Sequence, residues 1–140
     1  MNTEVEKLVN LLNEQGKMVF KSPVLSQEIE EFEINNAIKF PKEFCNWLKF
    51  SDGGEFFLPA GVQIYGIKNP PLIDINNENR PNDNYIVIGA LSSGDPILCK
   101  KESAEISIYN QEAGIIEDDE VYSNFYDFLN NMYDFLGIGE

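Results

Sequence analysis

Residues 40–57 read FPKEFCNWLKFSDGGEFF. Proline suits the first helical position, because the hydrogen bond it forfeits there would not be made anyway. Phe44, Trp47 and Leu48 then fall at i, i+3 and i+4, one apolar face of a short helix. Asp52-Gly53-Gly54 closes the stretch. Glycine tolerates the positive φ values that ordinary residues resist, so the helix is expected to stop at once and the chain to turn into a strand. The only tryptophan of the chain sits on this helix. It reads as a core anchor that builds the fold, not as a chemical group.

Upstream, Ser26 is placed to cap a helix running to about Asn35, with Ile29 and Phe32 inward. Its Glu28, Glu30 and Glu31 oppose the positive end of the helix dipole. Thr3-Glu4-Val5-Glu6 matches a capping box, and Val5, Leu8, Val9 and Leu12 continue at helical spacing until Gly16. Met18 to Phe20 reads as a short strand or an irregular link, and Ser22-Pro23 breaks any helix there.

Downstream, strands are expected at Glu55 to Leu58, Val62 to Ile67, Tyr85 to Ile88, Pro96 to Lys100, Glu105 to Tyr109 and Gly114 to Glu117. Turn residues separate them at Pro59-Ala60-Gly61, Ser92 to Asp95 and Asn110 to Gly114. The later gaps are too short for crossover helices, which argues for an antiparallel meander. NPPLIDINNENRPNDN, residues 69–84, reads as a long surface loop. Phe125, Phe128, Leu129, Met132, Tyr133 and Leu136 form the stripe of a last helix, with Ser123 as its cap and Gly137 as its stop. The expected fold class is α+β. Residues 1–140 form a single domain, a twisted, mainly antiparallel sheet of about five or six strands with N-terminal helices and a C-terminal helix packed against it.

The chain has 140 residues, 24 acids, 10 bases and no histidine, for a net charge of −14. A domain of this size buries roughly two-thirds of its unfolded surface, enough for an independent core. The charge is uneven. From Glu102 onward there is no lysine or arginine, and that segment carries −10 against −4 for the first 101 residues. Such a field repels nucleic acid and anionic membrane and attracts basic partners. Acidity also keeps a protein in solution, but that explains the total better than the clustering. No apolar run reaches the ~20 residues of a membrane span and the N-terminus has no signal-peptide core, so the expected location is cytoplasmic. Cys45 and Cys99 are then expected to be reduced core thiols.

Without histidine there is no serine–histidine or cysteine–histidine pair, no imidazole base and no histidine-based zinc site. Phosphate-cradling and dinucleotide motifs are missing from the sequence. No catalytic residue, cofactor or metal ligand is expected. Asp118-Asp119-Glu120 lacks the alternating ligands and central glycine of a calcium loop and reads as a solvated turn before a helix. Asp52 and Asp95, beside glycines, read as turn residues. An enzyme acting through carboxylates would need a concave pocket with at least two convergent acids.

Three segments together resemble the SUKH superfamily of Smi/Knr-like immunity proteins. IEEFEINNAIKFPKEFCNWLKFSDGGEF looks like its signature, with Ile29, Glu33, Phe40, Pro41, Phe44, Leu48, Gly53 and Gly54 at the signature positions. YIVIGALSSGDPILCK resembles its central hairpin and SNFYDFLNNM its closing helix. Phe40 and Asp52 stand where the family more often has leucine and asparagine, and both keep the physical role. The resemblance implies a binding scaffold. Many bacterial members are similar to immunity proteins, antitoxins that neutralise a cognate polymorphic toxin, often a nuclease. Heavy isoleucine and asparagine usage suits a bacterial source with an AT-rich genome. A rigid acidic face can occupy a site built to attract polyanions. The expected contact residues are Glu112, Glu117, Asp118, Asp119 and Glu120, within an acidic face spanning Glu102 to Glu120. The alternative is a non-catalytic regulatory or scaffolding module that binds another cytosolic partner. A homodimer is a further expectation, through a sheet edge near the proline-rich loop.

Overall fold

The computed structural model describes residues 17–58, 61–68, 72–76 and 78–135, together with residues 6, 7, 10 and 14. In chain order these form β1 (Lys17–Val19), α1 (Ser26–Asn36), α2 (Lys42–Leu48), β2 (Gly54–Leu58), β3 (Val62–Ile64), β4 (Tyr85–Leu91), β5 (Pro96–Lys100), β6 (Ile106–Asn110), β7 (Ile115–Tyr122) and α3 (Phe125–Phe135). The strands make one open meander, each antiparallel to the next, in the order β1 to β7. The α+β class is as expected from sequence, and the strand alternative for Met18 to Phe20 is realised as Lys17–Val19, giving seven strands where about five or six were expected. Most of the N-terminal helix and its capping box lies outside the described residues; Glu6, Lys7, Asn10 and Glu14 are helical and exposed.

The segment from Phe40 to Gly54 ties the helices to the sheet. Pro41 is the cap of α2 rather than its first residue, and its carbonyl accepts the Cys45 N–H at 3.0 Å. Phe44, Trp47 and Leu48 have no exposed surface. Their rings join a continuous aromatic stack in which Phe32 lies on Phe40, Phe40 meets Phe44 edge-on, and Phe44 meets Phe125 at 5.1 Å between centroids. Phe125 continues to Phe128 and Phe128 to Tyr122, so α1, α2, α3 and β7 share one chain of rings. Edge-to-face pairs of this kind contribute about 0.5–1.5 kcal/mol each beyond their buried area.

The polar atoms at the end of α2 are arranged with equal economy. Trp47 Nε1 donates to the Gly53 carbonyl at 3.0 Å, and Ser51 Oγ donates to the same oxygen at 2.7 Å. Ser51 Oγ in turn accepts the Lys21 N–H, and the Asp52 N–H donates to Ser22 O. Gly53 at φ +87° and Gly54 at +135° make the reversal into β2 that the sequence predicts. Asp52 is more than a turn residue. It is 1% exposed, and its two carboxylate oxygens accept the N–H groups of Ile67 at 2.7 Å and Lys68 at 2.9 Å. This pulls the chain away from β4, which is why β3 ends at Ile64 and not at Ile67. Gly66 lies so close that a Cβ there would collide with the Asp52 carbonyl and carboxylate oxygens.

Glu33, a signature position, bridges the other junction. Its Oε2 accepts the Phe40 N–H at 2.6 Å, fastening α1 to the start of the proline step. Two caps differ by one residue from the sequence reading. Leu25, not Ser26, is the cap of α1, and its free N–H is taken by Glu28 Oε1 at 2.9 Å. Asn124, not Ser123, caps α3. Its Oδ1 accepts the Asp127 N–H at 2.9 Å while Asp127 reaches back to the Ser123 N–H. In both cases a carboxylate one turn into the helix fixes the cap by satisfying a backbone donor before it.

Across the sheet, Ile86, Cys99, Ile106 and Tyr122 stand in register as one buried row under the helices. The alternate row, Val87, Leu98 and Ser107, is buried too, so the central strands are covered on both faces. The edge of β4 near the proline-rich loop is occupied. Asp74 and Val87 exchange backbone hydrogen bonds at 3.4 Å, so part of the proline-rich loop pairs with β4.

Asp52→Ala is expected to lower unfolding free energy by about 2–3 kcal/mol in urea titrations, because it orphans two backbone donors at once. Gly66→Ala should cost a comparable amount by displacing the same carboxylate. A loss below about 0.5 kcal/mol for both would mean the Asp52 contacts contribute nothing beyond a surface substitution.

Candidate partner-binding surface

Strand β7 lies at one end of the meander. It pairs with β6 at both of its own ends, Ile115 and Ile116 opposite Asn110 and Tyr109, and Val121 and Tyr122 opposite Ser107 and Ile106. Between these paired ends β7 holds four residues, Glu117 to Glu120, against the single Ile108 of β6. The register therefore slips by three, and the extra residues form a broad bulge on the edge strand. Asp118-Asp119-Glu120 is thus in a strand, not in a solvated turn before a helix. The paired apolar residues on either side hold the carboxylates in extended chain, and α3 begins only after Tyr122.

Glu112 occupies the β6–β7 turn, and Glu112, Glu117, Asp118 and Asp119 are exposed. The bulge brings Glu120 within electrostatic reach of Glu117, Asp119 and Asp95 of the β4–β5 turn. Partial burial pushes the Glu120 carboxyl above its usual range, and the negative charges of Glu117, Asp119 and Asp95 push it further. Burial raises the Tyr122 phenol as well, followed by the fields of Glu120, Asp119 and Asp127. Asp95 and Asp127 thereby join the acidic edge, and sequence reading missed both. Asp95 is a turn residue as expected, but its Oδ1 also accepts the Gln111 N–H at 3.2 Å, binding the two turns together. A register argument carrying β5 and β6 side by side is the signal that finds it.

Glu102 and Glu105 do not belong with these groups. They sit in the β5–β6 turn, at the end of β6 where Ile106 pairs with Tyr122, whereas Glu112 sits in the β6–β7 turn at the other end. The acids of the segment from Glu102 to Glu120 are thus spread along β6, with Glu102 and Glu105 at one end, Glu112 at the other and Glu117 to Glu120 opposite its middle. Among the described residues, the ion pairs are Lys68 with Glu28 and Arg80 with Asp83, and neither involves the β7 edge.

A groove of about 570 Å³ lies beside the β5–β6 turn, with Glu30, Glu33 and Glu102 among its lining residues. Of these, Glu33 is engaged by the Phe40 N–H. No cluster of three or more potential metal ligands occurs among the described residues. Both cysteines are free thiols. Burial pushes Cys45 up to about 11 and Cys99 up to about 12, so neither supplies a thiolate nucleophile near neutral pH. No helix among the described residues is long and apolar enough to cross a membrane.

An antiparallel meander backed by helices, knotted at an aromatic helix and a glycine pair, defines an α+β scaffold whose distinctive chemistry is its charged edge. The chain belongs to the SMI1 / KNR4 family (SUKH-1), whose family model matches residues 23–131. That span covers α1, α2, strands β2 to β7 and the first part of α3. None of the curated proteins matches the chain. Membership in this family is consistent with the role of an immunity protein.

An acid whose pKa is higher in the folded than in the unfolded chain costs stability at high pH, and the cost fades as pH falls through the folded value. Glu120→Gln should therefore raise the thermal midpoint at neutral pH, with the gain shrinking on acidification. A gain that persists unchanged in acid would not come from this carboxylate's charge. The buried Cys99 thiol should react with Ellman's reagent at about pH 8 only when urea unfolds the chain. Rapid labelling of both thiols in the folded protein would contradict its burial.

Proposed function

We propose that the chain is an immunity protein, an antitoxin that binds a cognate protein toxin in the cytoplasm and neutralises it. On this reading residues 1–140 form one SUKH-like domain, and the toxin is a nuclease whose basic, polyanion-binding surface meets the β7 edge. Glu112, Glu117, Asp118, Asp119 and Glu120 make the contact, joined by Asp95. The observation that carries the proposal is the three-residue bulge. It gathers carboxylates on an edge strand, where partial burial and then the neighbouring charges raise the Glu120 carboxyl, and none of them is in an ion pair among the described residues. Charge held together against its own repulsion is stabilised when a cationic partner arrives. Ile115 and Val121, both partly exposed at the flanks of the bulge, add apolar area to the same surface.

Complementary charge acts first on the association rate, which rises from a neutral 10⁵–10⁶ M⁻¹s⁻¹ toward about 10⁸ M⁻¹s⁻¹ at low salt. Neutralising the five carboxylates to glutamine and asparagine should slow association with the toxin about 10–100-fold and flatten its salt dependence. It should also abolish rescue of cells that express the toxin. The toxin to use is the one encoded beside this gene. Binding that ignores both salt and the five substitutions would remove the acidic edge from the mechanism. Absence of any rescue by the unaltered chain would favour a regulatory or scaffolding module instead.

A further inference from the structure

A small hollow of about 160 Å³ opens at the end of β3. Val62 and Ile64 are buried in the core, and strand alternation turns Gln63 between them to the opposite face. Glu55 of β2 and Ala90 of β4 stand in register on either side of Gln63, so the three form one half-buried row across the sheet. Ala90 supplies a methyl where its neighbours supply long polar chains, and the row is hollow there. Gly61, Val62, Leu91 and Ser92 close the end. The volume is below the roughly 300–1,000 Å³ of a small-molecule site and suits a single inserted side chain.

The lining specifies the charge and shape of that side chain. Among the described residues Glu55 is outside both ion pairs, and no lysine or arginine lines the hollow. Residues directly opposite in an antiparallel pair have Cβ atoms about 4.5–5.5 Å apart, so the Glu55 carboxylate and the Gln63 carboxamide offer acceptors side by side. A guanidinium matches such a pair with its fixed fork of donors, whereas an ammonium is a point charge. Val62 and Leu91 provide apolar surface for the methylenes that lead to it. We propose that this hollow receives one arginine side chain of a protein partner and acts as an anchor of the interface. It is continuous with the acidic edge. The Leu91 N–H donates to the Asp95 carbonyl at 3.0 Å, and Asp95 Oδ1 holds the N–H of Gln111, next to Glu112 in the β6–β7 turn. A cationic partner seated on Glu112 and Asp95 therefore reaches the hollow along one surface. Its role rests on the cationic partner proposed for the β7 edge, and adds the point at which one side chain is held.

Titration of the full chain with N-acetylarginine methylamide, followed by amide NMR, tests the hollow without a toxin. Shifts at Gln63 and Ala90 should saturate in the millimolar range, about the affinity of one side chain. The neutral citrulline analogue should not produce them. Glu55→Gln and Ala90→Leu should each remove them, the first by losing the counter-charge and the second by filling the space, with melting temperatures confirming that both chains fold. Neutralising the carboxylates of the β7 edge should leave the response to the arginine compound unchanged. Equal shifts with citrulline, or shifts that persist in both single variants, overturn the proposal. So does the absence of any response up to about 100 mM. Against the toxin encoded beside this gene, Glu55→Gln should raise the dissociation rate at least about tenfold and leave association within about threefold, the reverse of the β7 substitutions. An unchanged dissociation rate overturns the anchor role. A toxin that ignores the unaltered chain would overturn the antitoxin reading, whereas the response to the arginine compound decides the hollow by itself.

Discussion

The buried carboxylate of Asp52 is the constraint on which the rest of this structure hangs. A negative charge with almost no exposure to water survives only when its lone pairs are filled, and here the N–H groups of Ile67 and Lys68 fill them. Those bonds bring the chain after β3 back to the end of α2. The same few residues hold the N-terminal segment through Ser22 and Ser51, and Trp47 through the Gly53 carbonyl. Three stretches distant in sequence therefore meet at one point, and the glycines at 53 and 66 are there because no side chain fits between them.

From that point the two ends of the sheet acquire different characters. The aromatic stack pins α1, α2 and α3 over one face and leaves the β7 edge without a helix to cover its rim. An exposed edge strand invites pairing with other chains. Here a three-residue bulge full of carboxylates interrupts the ladder and repels a second acidic copy, while remaining open to a cationic surface. On the proposed reading the same device discourages indiscriminate strand pairing and favours a cationic partner.

Much of this was legible beforehand, and the reasons differ by residue. Phe44, Trp47 and Leu48 were readable because helical spacing converts directly into a buried face. The strands were readable from β-branched runs between turn residues, and the meander from the short gaps that exclude crossover helices. The errors cluster where a single polar side chain redirects the backbone. Ser26 and Ser123 looked like caps by residue type, yet Glu28 and Asp127 decided the true positions by reaching one turn back. Asp52 looked like a turn residue, because nothing within its neighbourhood in sequence reveals acceptance of hydrogen bonds from fifteen residues away. Asp118 to Glu120 looked like a turn because consecutive carboxylates are poor strand formers, and only the pairing of their flanks with β6 overrides that preference.

Local periodicity, turn chemistry and charge composition were enough to determine the class of fold, its core residues and an acidic C-terminal half. These properties depend on residues near one another in sequence, or on simple sums. Tertiary structure alone decided which of the acids stand together. Antiparallel pairing placed Asp95 beside Glu120 and sent Glu102 to the opposite end, because a strand reverses direction at every turn and charges close along the chain are carried to opposite ends of the sheet.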